Sequence, residues 1–533
     1  MKHVRPAFRV LDDGEIVPVG SQWIPCHMVF DIKVDFTRKA RFVAGGHKTE
    51  TPKSITYSSV VSRDSIRIVF LLAALNEVDI LAADIGNAYL NADTREKVHT
   101  TLGLEFGQEL AGKTAVICKA LYGLKSSGAA WRAHLANTLH DLQYRSSLAD
   151  PDIWMRPNVK QNGELYYEYV AVYVDDILVI AENPKQTMDC LAKLYRLKGG
   201  SVEKPSQYLG AQIMEHRFPE EPQFLAWAMS SAKYVKEAVR LVDQELLKMN
   251  KRLPNKVPTP LSSGYRPELD VSPLLGDEEA NYYQQLIGVL RWAVELGRID
   301  IAFCTAIMSK YLVQPRRGHL DEVFHMFAYL KSHDRSRIVL DPSRPRIDES
   351  RFVKQDWTEF YRDAAEPIPP NAPEPRGKSV LISCFCDANH AGDKVTRRSH
   401  TGIIIFVNRA PITWYSKQQN TVETSTFGSE FVAARIAVEL IESLRYKLRM
   451  FGVPIEGPTN VYCDNDSVVN NSTKPESTLK KKHNAIAYHR VREAVAAGTI
   501  RIAWEPTNSN IADMLTKCLV GPTLSSMCAR VLW

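Results

Sequence analysis

The chain has 533 residues, 45% of them hydrophobic and 24% charged, which at roughly 150 residues per domain amounts to three or four compact units with ordinary cores. That composition excludes a disordered chain and a miniprotein that would need disulfide staples. Lys plus Arg number 67 against 61 Asp plus Glu, a net charge of +6 that permits a polyanionic partner without demanding one.

The nine cysteines are odd in number and contain no C-x-x-C pair or Cys/His group at zinc spacing; Cys384 and Cys386 are too close together for such a pair. A reducing compartment is the expectation. The opening stretch carries Lys2, Arg5 and Arg9 with no apolar run behind them, so no secretory signal is read. The longest apolar stretch, Ile68 to Leu75, falls far short of the roughly 20 residues of a membrane span. A soluble, intracellular protein is expected.

In chain order, residues 22 to 45 alternate apolar and polar positions around Asp35 to Lys39, which predicts a β-hairpin. Ser65 to Leu75 reads as helix, Val78 to Asp84 as a strand ending in an acid, and Ala120 to Leu142 as an amphipathic helix. Tyr166 to Val172 and Ile177 to Ala181 are β-rich runs separated by Tyr173, Val174, Asp175 and Asp176, a hairpin with acids at its tip. Asn281 to Lys331 is helical in pattern, and the breaker-rich 341–378, with Pro342, Pro345, Pro367, Pro369, Pro370, Pro373 and Pro375, reads as a linker. The pattern then restarts as a strand (Val380 to Cys386), a hairpin turning at Asn408 and Arg409, and a helix (Ser429 to Met450). Strand Thr459 to Cys463, helix Lys482 to Ala497, strand Thr499 to Trp504 and a short helix around Ala512 complete an α/β unit.

Acids at strand ends carry the chemistry. If their strands are neighbours, Asp84, Asp175 and Asp176 converge at one sheet edge, where like charges raise each other's pKa unless a cation lies among them. Two Mg²⁺ ions roughly 4 Å apart would answer that cost and clamp both oxygens of an in-line phosphoryl displacement. An Asp at a strand end taken alone is most often a turn former. Paired acids at the tip of an apolar hairpin work against hairpin stability, and that favours a site. In the last unit Asp387, Glu430, Asp464 and Asp513 come from separate elements and could meet around a second ion pair, although each alone also fits a cap or surface charge.

Tyr173-Val174-Asp175-Asp176, Asp84-Ile85-Gly86-Asn87-Ala88-Tyr89-Leu90 and Ala120-Leu121-Tyr122-Gly123-Leu124-Lys125 resemble, in order and spacing, the reverse transcriptase of copia-type LTR retrotransposons. Cys386-Asp387-Ala388, Ser429-Glu430-Phe431, Tyr462-Cys463-Asp464-Asn465 and the run Asn510 to Lys517 are similar to the ribonuclease H domain of the same Pol polyproteins. The resemblance implies a right-hand polymerase of fingers, palm and thumb or connection, an α+β and α/β multidomain chain, followed by a ribonuclease H-like α/β domain. It sets fingers and palm at 1–245, a thumb or connection at 246–340, a linker at 341–378, the nuclease at 379–520 and a tail at 521–533.

It further implies an RNA-directed DNA polymerase with hybrid-cleaving nuclease activity, using Mg²⁺ (Mn²⁺ as a substitute), with RNA template, DNA primer, RNA/DNA hybrid and deoxynucleoside triphosphates as partners, in a cytoplasmic virus-like particle with nuclear passage of the product. Asp84, Asp175 and Asp176 become the polymerase metal carboxylates and Asp387, Glu430, Asp464 and Asp513 the nuclease set. Tyr89 becomes the gate under the sugar, and Arg41 with Lys33 the triphosphate ligands, a role that suits a planar guanidinium. Ser126 stands where the family has a Gln of the nucleotide pocket, and Gly46 where a Lys is common, so a nucleic-acid-binding remnant or a nuclease-only chain are the alternatives. His483 reads as structural or as an aid to product release. Basic clusters such as Lys248 to Arg252, Arg316-Arg317, Arg397-Arg398 and Lys480 to Lys482 could track phosphates.

Overall fold

The computed structural model describes residues 5–32, 38–50, 56–479 and 484–533. Two compact units emerge, one from 1–62 with 78–204 and the other from 63–77 with 205–533. Lys33, Lys480 to Lys482 and His483 lie outside the described residues.

In the first unit, β1 (Phe8–Val10), β2 (Gln22–Trp23), β3 (Cys26–Ile32) and β4 (Arg38–Ala44) precede the acid-bearing sheet. The period-two pattern of 26–44 appears as the antiparallel pair β3–β4, Cys26 opposite Ala44. Helix α1 (Arg63–Leu75) belongs to the second unit. The chain returns as β5 (Asp79–Asp84), β6 (Val98–Thr101), β7 (Thr114–Ile117), α2 (Ser127–Asp141), β8 (Arg145–Ser146), β9 (Ile153–Val159), β10 (Leu165–Tyr173), β11 (Asp176–Ala181) and α3 (Pro184–Leu194). Strands order as β1-β7-β6-β2 in one sheet and β5-β11-β10-β9-β8 in another.

The second sheet explains its own sequence. β10 is buried from Tyr166 to Val172, hence a continuous apolar run instead of alternation. Trp131, Leu135 and Leu139 of α2 and Met188 and Leu191 of α3 share one core with Val170, Val172, Ile177 and Val179. Leu135→Ala, Leu139→Ala or Leu191→Ala would each cost about 2–5 kcal/mol.

The helix expected from Ala120 begins only at Ser127. Gly123 has φ +94°, and a Cβ there would lie 2.0 Å from the Ala44 carbonyl oxygen; one on Gly46 would lie 2.2 Å from the Gly123 oxygen. The end of β4 and the 120–126 loop therefore press backbone on backbone, with the Ala44 N–H donating to the Tyr122 carbonyl at 2.8 Å. That close approach holds 120–126 out of helix, and in this chain it leaves no room for a side chain at Gly46.

The second unit adds a sheet that the sequence reading missed: β12 (Gln207–Tyr208), β13 (Ala211–Phe218), β14 (Glu221–Ser230) and, more than a hundred residues later, β15 (Arg337–Leu340), in that order. Between β14 and β15 come α4 (Ala232–Lys248), α5 (Asp277–Glu295), α6 (Ala302–Met308) and α7 (Arg317–Ser332). Phe70 of α1 meets Trp227 of β14 edge-on at 5.5 Å. Asp300, inside the stretch Asn281 to Lys331 that reads as helical, is a core ion: Arg298 donates to it twice, at 2.9 and 2.6 Å, and the Tyr329 hydroxyl once, at 3.0 Å. Asp300→Asn strands a buried guanidinium, so it is expected to destabilise by about 3–5 kcal/mol in urea unfolding. Asp334→Asn, at a surface pair with Lys236, should move stability by less than about 1 kcal/mol.

The last sheet comprises β16 (Ile382–Asn389), β17 (His400–Val407), β18 (Ala410–Gln418), β19 (Thr459–Cys463) and β20 (Ile500–Trp504) in the order β18-β17-β16-β19-β20. β16, β19 and β20 run parallel, and β17 and β18 antiparallel. The long helix α8 (Thr426–Met450), α9 (Asp466–Thr473) and α10 (Ala485–Ala496) accompany it. Residues 341–378 form no long element, yet they pack. Glu366 accepts from Arg445 and Arg449, and Arg492 of α10 lies 4.8 Å from the Trp357 ring centre. Among the described residues no helix is long and apolar enough to cross a membrane.

Candidate functional site

In the first unit β11 pairs with β5 so that Asp176 lies directly opposite Asp84, and Tyr173 opposite Asp176 closes a two-residue turn of Val174 and Asp175. Val174 takes φ +58°, a conformation that a β-branched residue adopts at a cost of about 1–3 kcal/mol. Positive φ at the first turn position is what tight hairpins require. The turn is pinned from outside: Trp131 Nε1–H donates to the Val174 carbonyl at 2.7 Å, and the Ile85 N–H to the Asp175 carbonyl at 2.8 Å. All three acids thereby meet at one sheet edge.

Their electrostatics follow. Burial, then Asp175 and Asp84, pushes Asp176 up to about 6. Burial, then Asp84, also raises Asp175. Lys198, absent from the sequence-level site, forms an ion pair with Asp84 Oδ2, while among the described residues Asp84 Oδ1 is buried with no hydrogen-bond partner. Tyr89 is half-buried, its ring 4.8 Å from that of Tyr122, and both phenols are raised by burial and then by Asp175. The Arg41 charge works against that rise at Tyr122, so Arg41 of β4, Tyr122 and Tyr89 border the acids together. Tyr122 lay inside a quoted motif without a role; the glycine-on-backbone contact that positions it has no sequence signal of its own. Ser126 is fully buried, its N–H and hydroxyl both donating to Glu96 Oε1 at 2.8 and 2.7 Å.

In the second unit Asp387 sits in β16, Asp464 follows β19, Glu430 lies in the first turns of α8, and Asp513 in the short 3-10 helix Ile511–Leu515. Parallel pairing of β16 with β19 carries two of the acids to the same end. Carboxylate oxygens of Asp387, Asp464 and Asp513 fall within 4.8 Å of one another. Burial, then Asp513, lifts Asp387 to about 6; burial first, then Cys463 and Asp387, holds Glu430 well above the usual range. Burial also raises Asp464 and Asp513.

Several supporting residues were given no role in the sequence reading, although Asn510, Thr516 and Lys517 lie inside the quoted 510–517 run. Thr516 donates to Asp387 Oδ2, and Thr507 to Asp464 Oδ2 at 2.9 Å. Asn510 ties the 511–515 helix to β16 through Nδ2–H to the Cys386 carbonyl at 3.0 Å. Lys517 pairs with Asp513 Oδ1 at 2.8 Å; its i, i+4 spacing from Asp513 was the available signal.

Both clusters fit hard divalent cations. Each gathers mutually repelling, partly desolvated carboxylates, and each keeps a buried carboxylate oxygen, Asp84 Oδ1 or Glu430 Oε2, without a partner among the described residues.

Residues 8–219 match the family described as reverse transcriptase (RNA-dependent DNA polymerase). Over most of its length, that segment included, the chain is 26% identical over 520 residues to the retrovirus-related Pol polyprotein from transposon TNT 1-94 of Nicotiana tabacum, covering 94% of this chain and 35% of that polyprotein. The chain is, over most of its length, similar to copia-type retrotransposon Pol polyproteins. The corresponding polyprotein from transposon RE1 of Arabidopsis thaliana is 26% identical over 499 residues, 92% of this chain and 30% of that one, so the chain spans about a third of the length of the curated relatives it matches. Among solved structures, LC11-RNase H1 in complex with RNA/DNA hybrid aligns at 16% identity and TM-score 0.21, covering 25% of this chain and 93% of that chain. The N-terminal RNase H domain of a Mycobacterium tuberculosis protein, solved as a fusion with maltose binding protein, aligns at 11% identity and TM-score 0.20, covering 28% and 97%.

Proposed function

We propose that this chain copies RNA into DNA at the Asp84, Asp175 and Asp176 cluster and cleaves the RNA strand of the resulting hybrid at the Asp387, Glu430, Asp464 and Asp513 cluster. The observation that carries the reading is the ladder partnership of Asp84 with Asp176, with Asp175 on the adjoining turn, which spends stability to hold three acids together inside a segment matching the reverse transcriptase family. In this reading the acid-bearing sheet is the palm, β3–β4 belong to the fingers, and α4 to α7 serve as thumb and connection.

Asp84, Asp175 and Asp176 would hold divalent cations, Mg²⁺ by preference; when bound, these neutralise the attacking and leaving oxygens of an in-line displacement. The remaining work falls to the chain. The Trp131 bond fixes the turn, so Asp175 and Asp176 are positioned before substrate arrives. Arg41 offers a guanidinium to the incoming triphosphate. Tyr89, backed by Tyr122, stands where a ribose 2′-hydroxyl would press on its ring. Tyr89→Val is therefore expected to reduce discrimination against ribonucleotides by about ten-fold or more, measured as the ratio of kcat/KM for matched deoxy- and ribonucleotides. An unchanged ratio would remove Tyr89 from the gate.

In the second cluster Asp387, Glu430, Asp464 and Asp513 would hold the cations. Thr516 and Thr507 orient Asp387 and Asp464, and Lys517 balances charge beside Asp513.

The test is direct. The purified chain with Mg²⁺ should extend a DNA primer on an RNA template and hydrolyse a labelled RNA/DNA hybrid; lack of either product refutes that half. The raised acids add a pH signature. Near pH 6 Asp176 and Asp387 are about half protonated, and cations take the deprotonated form, so Mg²⁺ binding must release protons. Calorimetric titration in two buffers of different ionisation enthalpy should show that release near pH 6 and its decline toward zero by about pH 8.

A further inference from the structure

No Cys/His group has zinc spacing along the sequence, yet the strand register of the last sheet creates a sulfur-bearing cluster. Cys386 and Cys463 are opposite one another on the parallel strands β16 and β19, so their side chains share a face. Both thiols are buried, at 0% and 1% exposure, and in hydrogen-bond contact. The sulfur of Cys463 and carboxylate oxygens of Glu430 and Asp464 fall within 4.8 Å of one another. The buried oxygen that suits a cation lies in this cluster as well: Glu430 is only 4% exposed, and among the described residues its Oε2 has no hydrogen-bond partner.

We propose that Cys463, Glu430 and Asp464 form a binding site for a thiophilic divalent cation, Zn²⁺ or Cd²⁺, different in donor chemistry from the all-oxygen set of Asp387, Asp464 and Asp513. One sulfur and two carboxylates are a donor set that Zn²⁺ accepts, with Zn–S near about 2.3 Å and Zn–O near about 2.0–2.2 Å, a solvent oxygen completing four-coordination. Mg²⁺ takes oxygen donors in octahedral geometry and would leave the sulfur unused. On binding, the Cys463 S–H bond is lost, its proton passes to solvent, and an S–metal bond forms with no change of oxidation state. Cys386, beside that sulfur, donates its own S–H to the Tyr462 carbonyl at 3.7 Å.

Asp464 belongs to both donor sets and Glu430 to the four-acid cluster, so a thiophilic ion withdraws them from the arrangement proposed for hybrid cleavage. A soft cation then acts as a competitive brake on hybrid cleavage; this consequence, unlike the binding itself, rests on the nuclease reading.

The test begins with spectroscopy. The full chain is titrated with Cd²⁺ in the presence of excess Mg²⁺, and the sulfur-to-cadmium charge-transfer band is followed in the ultraviolet. A Mg²⁺-resistant phase that Cys463→Ser removes and Cys190→Ser retains is the expected result; an identical titration in Cys463→Ser overturns the site. Should Cys463→Ser misfold, X-ray absorption of the wild-type chain loaded with one equivalent of Zn²⁺ decides: one sulfur and several oxygens in the first shell support the site, and a shell without sulfur refutes it. For the brake, the Zn²⁺ concentration that halves hybrid cleavage should rise at least about ten-fold in Cys463→Ser. An equal Zn²⁺ response refutes the competition while the spectroscopic result stands on its own, and a chain with no hybrid cleavage at all refutes the nuclease reading instead.

Discussion

Replacing Asp175 and Asp176 together by Asn is expected to lower RNA-templated primer extension by at least about a thousand-fold, because several kcal/mol of transition-state charge stabilisation are lost. Folding should survive. Both acids are raised by burial and by neighbouring carboxylates, so neutral amides relieve repulsion, and the pins on the turn, Trp131 to the Val174 carbonyl and Ile85 to the Asp175 carbonyl, use backbone atoms that the substitutions leave in place. A thermal midpoint at or above wild type alongside lost extension is the expected pair of results. Hybrid cleavage by the same preparation should be unchanged, which separates a chemical defect from a damaged chain. Extension that survives both substitutions sinks the polymerase assignment.

Much of this site was legible because its signals are local. A run of apolar residues broken by Tyr-Val-Asp-Asp can hardly be anything but a hairpin, and β10 and β11 begin and end within a residue or two of the expected bounds. Thr459–Cys463 was read to the residue. What failed depends on contacts distant in sequence. The 120–126 loop looks helical by periodicity, and only the approach of Gly46 and Gly123 to facing backbone keeps it open. β15 joins β14 across more than a hundred intervening residues, so its four residues carry no pattern that names their partner. At 341–378 composition is silent on packing: proline excludes regular helix and strand, but it does not prevent Glu366 from holding Arg445 and Arg449. Lys198 was missed, and Thr516 was quoted without a role, because a lysine or a threonine after a helix is unremarkable until the fold brings it against an acid.

Asp387→Asn should reduce hybrid cleavage by at least about a thousand-fold while leaving primer extension intact. Asp387 is the acid on which the second cluster converges: it shares a 4.8 Å neighbourhood with Asp464 and Asp513 and raises Glu430 and Asp464 by its charge. An Asn removes that charge and one oxygen donor, so affinity for divalent cations should fall with the rate. Thr516→Val leaves the carboxylate and deletes only the hydroxyl that orients it, and the expected loss is about ten- to a hundred-fold. Excess Mg²⁺ should partly rescue Thr516→Val, whose carboxylate is intact but loosely held, and should not rescue Asp387→Asn. If the two variants lose activity equally and neither responds to Mg²⁺, then Asp387 acts through packing and not through cation binding, and the nuclease assignment loses its central residue.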